Sequence, residues 1–259
     1  MLRVMTWNIR TGGRDTGGPD RRDRIAGVIA EQRPDVLALQ ELRDLDVPAF
    51  ADRVGMRAYL ARSWFGQPVA VLVRPPWRVR TAAPVRRPLH HAAQRVVVQT
   101  GAGALTILST HLDPYSGTRR LVEAGWLAAA LRPARDGLAL LAGDLNTLDP
   151  YAEHAERIAR LPAAYRRRHL RRDGRTVETR AVARLLGTGL VDLGATAGPT
   201  VPTRHGGTEF SDMRLDYLLA TPRLATHHLQ TQVLRTPETD HASDHYPLHT
   251  TLSLPAPPG

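Results

Sequence analysis

Polar residues stand at five places where apolar runs end or are interrupted. Asn8 follows VMTW, Glu41 follows VLALQ, Asp144 and Asn146 follow LALLAG, Asp216 lies inside RLDYLL, and Asp244-His245 precedes YPL. Strands that end this way deliver side chains to one edge of a sheet, where carboxylates can hold a divalent cation and an imidazole can meet a phosphoryl oxygen. The chemistry expected of such a set is hydrolysis of a phosphate ester.

Each residue has a role that its type permits. A carboxylate at the end of an apolar strand needs a cation or hydrogen-bond donors, so Glu41 is assigned to a metal site, the alternative being a side chain that simply enters the solvated loop ELRDLD. Asn8 can ligate through its amide oxygen or orient a carboxylate. In GDLN at 143–146, Gly143 allows a sharp turn after a buried strand, and Asp144 and Asn146, two apart, can face the same way in extended chain. Asp144 is then the group that orients and deprotonates a water, with Asn146 holding that carboxylate or the phosphate; the competing reading is a turn that caps a helix near Asp149. Asp216, inside an apolar strand, needs a buried partner, and His245 is the natural one. An aspartate on one ring nitrogen fixes the tautomer and leaves the other nitrogen for a phosphoryl oxygen. Asp244 can help hold the cation. His111, in STHLD after the strand LTILST, is a second imidazole donor, whereas Asp113 reads as a loop residue before Pro114. The other nine histidines, His90, His91, His154, His169, His205, His227, His228, His241 and His249, lack strand-end context and are read as surface or core residues.

The elements that must position these groups alternate without strict order. Residues 2–8 form a strand, Asp20 caps a helix with Ile25, Val28 and Ile29 on one face, and Pro34 stops it before the strand Val36 to Leu39. Strands at 57–61, 68–74, 78–81, 94–100 and 104–110 make a mostly antiparallel middle section. Ser116 caps a second helix that presents Leu121, Ala124, Leu127, Ala128 and Leu131, and Leu138 to Ala142 is a short buried strand. Helical patches at 151–160 and 179–187, a loop at 194–212, and strands at 214–220, 227–235 and 246–254 complete the pattern, with no internal repeat. One α/β domain over 1–254 is expected, with two packed mixed sheets and helices outside, followed by a flexible Pro-rich tail at 255–259.

Composition bounds the rest. The chain has no cysteine, so thiolate sites and disulfides are excluded and a hard ion such as magnesium is favoured. No apolar run is long enough to span a membrane, and the amino-terminal residues do not read as a secretion signal; a soluble cytoplasmic protein is expected. The formal charge of +10 arises from 35 basic residues, all arginine, against 25 acidic ones. Arginine suits an anionic substrate, although a wholesale preference for arginine over lysine also reads as a composition bias.

Taken in order, TWN, LQE, STHLD, GDLN, RLDYLL and SDHYPL resemble the endonuclease/exonuclease/phosphatase superfamily with its deoxyribonuclease-I-like fold. The resemblance implies a four-layer α/β sandwich and Mg2+-assisted hydrolysis, with Mn2+ as a possible substitute, by in-line attack of water. By match of motif, Asn8 and Glu41 carry over as metal-site residues with Asp244 beside them. Asp144 and Asn146 become the water- and phosphate-positioning pair, His111 a phosphate donor, and Asp216 with His245 the acid/base pair. The chain departs from the pattern at Asn8-Ile9-Arg10, where the family often has a second carboxylate. The expected substrate is a phosphomono- or phosphodiester on a small metabolite or lipid head group. A DNA or RNA nuclease is the alternative, drawing on the arginine run Arg166 to Arg172 but lacking interleaved aromatics in that run, and a catalytically silent phosphate-ligand binder is the third reading.

Overall fold

The computed structural model describes residues 1–257. Its strands are β1 (Leu2–Asn8), β2 (Val36–Gln40), β3 (Arg57–Ala61), β4 (Val69–Val73), β5 (Arg78–Pro84), β6 (Ala93–Thr100), β7 (Gly103–His111), β8 (Leu138–Asp144), β9 (Val191–Asp192), β10 (Asp216–Ala220), β11 (His228–Val233) and β12 (Leu248–Leu252). The helices are α1 (Arg22–Gln32), α2 (Val47–Arg53), α3 (Gly117–Leu131), α4 (Ala155–Arg160), α5 (Ala163–Arg166), α6 (Arg180–Leu186), α7 (Pro222–Ala225) and α8 (Pro237–Ala242).

The strands form two six-stranded mixed sheets, ordered β11-β12-β1-β2-β4-β3 and β9-β10-β8-β7-β6-β5. Both have the same succession of pairings. Only β1 with β2 and β7 with β8 run parallel, and every other neighbouring pair is antiparallel. Alternation of side chains along each strand then assigns residues to layers. Leu2 and Val4 of β1, Val36 and Ala38 of β2, and Val71 and Val73 of β4 meet Val96, Val98, Leu105, Ile107, Leu140 and Leu218 between the sheets. The opposite faces are covered by helices. Met5, Trp7, Leu37 and Leu72 pack on Ile25, Ile29, Phe50 and Ala242, while Leu108, Leu141 and Leu219 pack on Ala124, Leu127, Val182 and Leu185. The result is the expected four-layer α/β sandwich, helix, sheet, sheet, helix.

Local chemistry explains where the expected element ends move. Helix α1 begins beyond Arg21, which makes no side-chain cap, while Asp20 Oδ1 accepts from Arg22 N at 3.0 Å. Ser116 caps α3 as expected, through Arg119 N at 3.3 Å. The helix expected at 151–160 begins only at Ala155. The short helices α2 and α8 have too few residues to show a period, yet each has a start signal: Asp46 accepts from Ala49 N, and Thr236 and Thr239 form a reciprocal capping box. Within the Pro-rich carboxyl-terminal segment, Pro255 O accepts from Gly101 N at 2.9 Å and Leu254 is fully buried; residues 258–259 lie outside the described residues.

Gly143 does not follow its strand but lies within β8, at φ 149°, paired with Thr110 on one side and Tyr217 on the other. A Cβ there would sit 1.9 Å from Thr110 O, so only glycine lets β8 lie against β7 at the point where both strands reach the polar edge. Arg120 is a second constraint. It is fully buried on α3, donating to Asp113 O at 3.1 Å and to Arg168 O at 2.6 Å, and so ties the loop after β7 to the 160–170 segment.

Gly143→Ala is expected to cost about 3 kcal/mol or more in urea denaturation, because overpacking adds to a disfavoured backbone. Gly17→Ala, at φ 71° with nothing within 4 Å of an added Cβ, should lose only about 1–2 kcal/mol. Arg120→Met should lose about 2–4 kcal/mol by stranding two carbonyls, and should expose the arginines at 166–172 to trypsin while the rest of the chain stays resistant.

Candidate active site

The strand ends meet at one edge of the sandwich because the register puts them there. Asn8 pairs with Gln40, one residue before Glu41; His111 pairs with Asp144; and Asp144 pairs with Asp216. His245 stands just before β12, which runs antiparallel to β1. Several residues at these exits turn the chain through left-handed backbone: Arg10 (φ 49°), Thr11 (φ 48°), Glu41 (φ 60°) and Asn146 (φ 48°). Such strain is held by surrounding bonds and aims side chains that regular strand geometry would send to alternating faces. Asp144 and Asn146 therefore do not share an extended run as the spacing suggested. Asn146 folds back, with its N donating to Asp144 Oδ1 at 2.8 Å, and no helix starts near Asp149.

His245 Nδ1 lies 2.8 Å from Asp216 Oδ2, and its Nε2 lies 3.7 Å from Asp144 Oδ2. Trp7 Nε1 donates to His245 O at 2.8 Å and the ring of Phe210 meets the imidazole edge to face, so both backbone and ring are held. Asn8 Nδ2 donates to Glu41 Oε1 at 3.0 Å and to Asp144 Oδ2 at 3.1 Å, linking the two carboxylates through one amide. Glu41 also accepts from Thr11 N at 3.2 Å and Gln67 Nε2 at 2.7 Å. His111 Nε2 contacts Asn146 Nδ2 at 2.9 Å and Asp144 Oδ2 at 3.3 Å. Asp244 Oδ2 pairs with Arg10 at 3.2 Å. Of these, Arg10, Glu41, His111, Asp144, Asn146, Asp244 and His245 line a cleft of about 320 Å³, with Asn8 and Asp216 behind them.

The charges are unequal in environment. Burial pushes the Asp144 carboxyl above its usual range, opposed by His245 and reinforced by Asp216. Loss of water likewise raises Asp244, against His245 and Arg10. At His245 burial works against charge, but Asp216 and Asp144 outweigh it and raise the imidazolium to about 10. Burial and the charge on His245 drive His111 far below its usual value. Two carboxylates thus share one protonated ring, beside a neutral histidine.

All eight residues singled out from the sequence, Asn8, Glu41, His111, Asp144, Asn146, Asp216, Asp244 and His245, lie at this edge, although Asp216 sits behind the cleft wall with His245 between. Asp113 caps the turn into α3, accepting from Tyr115 N and Ser116 N. The reading of His91 and His169 as ordinary surface or core residues is corrected, since both line the cleft. His91 stacks on His111 with centroids 3.9 Å apart, and burial lowers it to about 2; His169 is lowered to about 3 by burial and by Arg120. Gln67 and His91 were missed because they precede antiparallel strands: the polar edge lies at the start of β4 and β6, not at their ends. Arg10 carried a signal in the sequence, as the cation standing where the family often has an acid.

Two donor groups could hold a cation. Asp144, Asp216 and His245 offer ligand atoms within 4.8 Å of one another, but both ring nitrogens already face carboxylates and the ring supplies the positive charge. Glu41 fits better. It lines the cleft and receives only neutral donors, so its charge is answered by no cationic side chain at hydrogen-bond distance among the described residues, and a hard ion with oxygen ligands suits Glu41 with Asp244 alongside. Asn8, expected from the sequence as a metal-site residue, instead turns Nδ2 to Glu41 and accepts from Arg10 N at 3.0 Å through Oδ1, so it orients the carboxylate.

A model of the endonuclease/exonuclease/phosphatase family matches residues 5–245. Similar solved structures include an AP endonuclease from Archaeoglobus fulgidus (TM-score 0.71, 19% identity, covering 97% of this chain and 99% of that one) and truncated TDP2 from Caenorhabditis elegans (TM-score 0.67, 19% identity, 97% of each). An endonuclease/exonuclease/phosphatase from Beutenbergia cavernae matches at TM-score 0.65 and 23% identity over 99% of this chain and 72% of that one. No curated protein matches the sequence. At these identities the structural likeness speaks for the fold, while the family match spans nearly all of the chain from β1 to the histidine before β12. The chain belongs to the endonuclease/exonuclease/phosphatase family.

Proposed function

We propose that the protein is a metal-dependent phosphoric ester hydrolase that breaks a P–O bond by in-line attack of water. Members of the family are hydrolases of phosphoester bonds. The observation that carries the reading for this chain is the buried chain Asp216, His245, Asp144, in which two carboxylates flank one imidazole at the wall of a polar cleft. Such a set separates acid from base by environment. Asp144, raised by burial, accepts the proton of the attacking water; Asn8 and the Asn146 N–H hold its two oxygens in place. His245, kept protonated by Asp216, donates through Nε2 to a phosphoryl oxygen as charge develops there. Neutral His111 touches Asn146 and Asp144, so its part is positioning, a revision of the direct phosphate contact that the family motif implies.

Glu41 and Asp244 are the residues that would hold Mg2+ or Mn2+, with Asn8 orienting Glu41. A divalent cation bound there supplies positive charge to the phosphoryl oxygens and lowers the pKa of bound water. A small metabolite or lipid head group fits a cleft of about 320 Å³ taken alone. The nuclease reading gains from the rim, where Arg168 lies over the rings of Tyr115 and of Tyr165, which directly precedes the arginine run, at 5.8 and 4.8 Å.

With magnesium and a nitrophenyl phosphodiester, Asp144→Asn and His245→Ala are each expected to lower kcat about 10²- to 10⁴-fold with little change in KM. Glu41→Gln should raise the magnesium concentration needed for half-maximal rate, and EDTA should abolish turnover. Unchanged turnover in both Asp144→Asn and His245→Ala would end the assignment. A wild type that binds magnesium yet hydrolyses nothing across a broad ester panel would make the protein a phosphate-ligand binder.

A further inference from the structure

Two hollows border the cleft, each sharing one lining residue with it. It shares Tyr115 with a cavity of about 470 Å³ whose wall includes Arg166, Arg167, Arg171 and Arg172. It shares His91 with another of about 780 Å³, bordered by Arg62, Trp64, Phe65, Arg86 and Arg87. Arg62, Arg86, Arg87, Arg167, Arg171 and Arg172 are exposed, and none is ion-paired with a described residue. Aromatic rings border the same hollows: Trp64 is 93% exposed and Phe65 70%, and Tyr115, with Arg168 over its ring at 5.8 Å, is 65% exposed.

The backbone of the turn that carries Trp64 and Phe65 is held by hydrogen bonds. Ser63 Oγ accepts from Phe65 N at 3.1 Å and Gly66 N at 2.8 Å while donating to His90 O at 2.9 Å, and Gln67 N donates to His91 Nδ1 at 2.8 Å. The turn that presents Trp64 and Phe65 is thereby bonded to the same histidine that lines the cleft. Holding two large apolar rings in water lowers no folding free energy by burial, so their use lies in what they meet.

We infer that the three hollows form one track for single-stranded nucleic acid, a substrate class that rests on the hydrolase reading above. The backbone phosphates follow Arg167, Arg171 and Arg172 on one side of the cleft and Arg62, Arg86 and Arg87 on the other. Bases stack on Trp64, Phe65 and Tyr115, and the phosphate between lies in the cleft. The combination of separated cations with open π-faces selects the ligand. A small polyphosphate has no need of cations on both sides of the reaction centre. A duplex keeps its bases stacked on one another and leaves the rings unused.

The test uses the full chain in EDTA with a labelled mixed-sequence oligodeoxynucleotide, read by fluorescence anisotropy over a salt series. The variant Arg167→Ala/Arg171→Ala/Arg172→Ala should bind more weakly and flatten the slope of log affinity against log salt by roughly two, at about 0.7 per phosphate contact. Trp64→Ala/Phe65→Ala should weaken binding about 5- to 100-fold with the slope unchanged. Both should keep wild-type turnover on the nitrophenyl phosphodiester and wild-type unfolding curves. Oligonucleotide binding that neither variant alters overturns the track, as does tighter binding to vesicles of acidic phospholipid, or to a duplex, than to the single strand. Loss of small-ester turnover in the wild type, with oligonucleotide binding intact, would instead refute the hydrolase reading and leave the track standing.

Discussion

Two apolar sheets held face to face must end somewhere, and here the polar end closes the sandwich by bonds that cross it. His245 precedes a strand of one sheet and Asp216 opens a strand of the other, so their 2.8 Å contact joins the layers. The same is true of Asn8 to Asp144 at 3.1 Å and Gln40 to Ser109 at 3.3 Å. Charged groups at such depth cost several kcal/mol each unless paired. Their pairing depends on both sheets keeping their spacing, which the interlayer valines and leucines set. The apolar core and the polar edge therefore constrain each other: a shift of one layer against the other breaks the ion pairs before it opens a cavity.

The arrangement at that edge remains rich in acid. Glu41, Asp144, Asp216 and Asp244 lie around one imidazolium and one guanidinium, and the raised values of Asp144 and Asp244 come first from burial, with the neighbouring carboxylates Asp216 and Glu41 adding to it. Neutral donors share part of the load, as Asn8 does for two carboxylates at once. The protein accepts left-handed backbone at Arg10, Thr11, Glu41 and Asn146 to bring these donors into range. An environment of this kind is poor at stabilising itself and good at receiving a cation, which is the general trade between stability and function at a preorganised site.

What the sequence disclosed follows from where strands point. A polar residue that ends an apolar run, as Asn8, Glu41, His111 and Asp144 do, or interrupts one, as Asp216 does, is visible in one dimension, and the sheet system with it. Gln67 and His91 reach the same edge from the beginnings of antiparallel strands, where the residues before an apolar run look like any turn. Arg120 was hidden for a different reason: arginine on a helix reads as solvent-facing, and only the loop carbonyls of Asp113 and Arg168 show why this one is buried. The matching succession of pairings in the two sheets was also invisible, because pairing direction is a backbone property that unrelated side chains can share.

Composition is silent about placement in a more instructive way. The arginine-only basic complement reads as a composition bias, and the run from Arg166 to Arg172 reads as a solvated cluster without interleaved aromatics, in keeping with the exposure of Arg167, Arg171 and Arg172. Folding supplies the missing partner from elsewhere: Tyr115, some fifty residues away in sequence, lies beside Arg168 at the mouth of the cleft. Both statements hold together. A bias can set which cation is used everywhere, while the fold decides which of them face a hollow without a carboxylate partner, as Arg167, Arg171 and Arg172 do, and which lie over a ring, as Arg168 does while pairing with Glu209 at 3.2 Å. Charge content is a property of the chain, but recognition of a phosphate chain depends on that local coincidence.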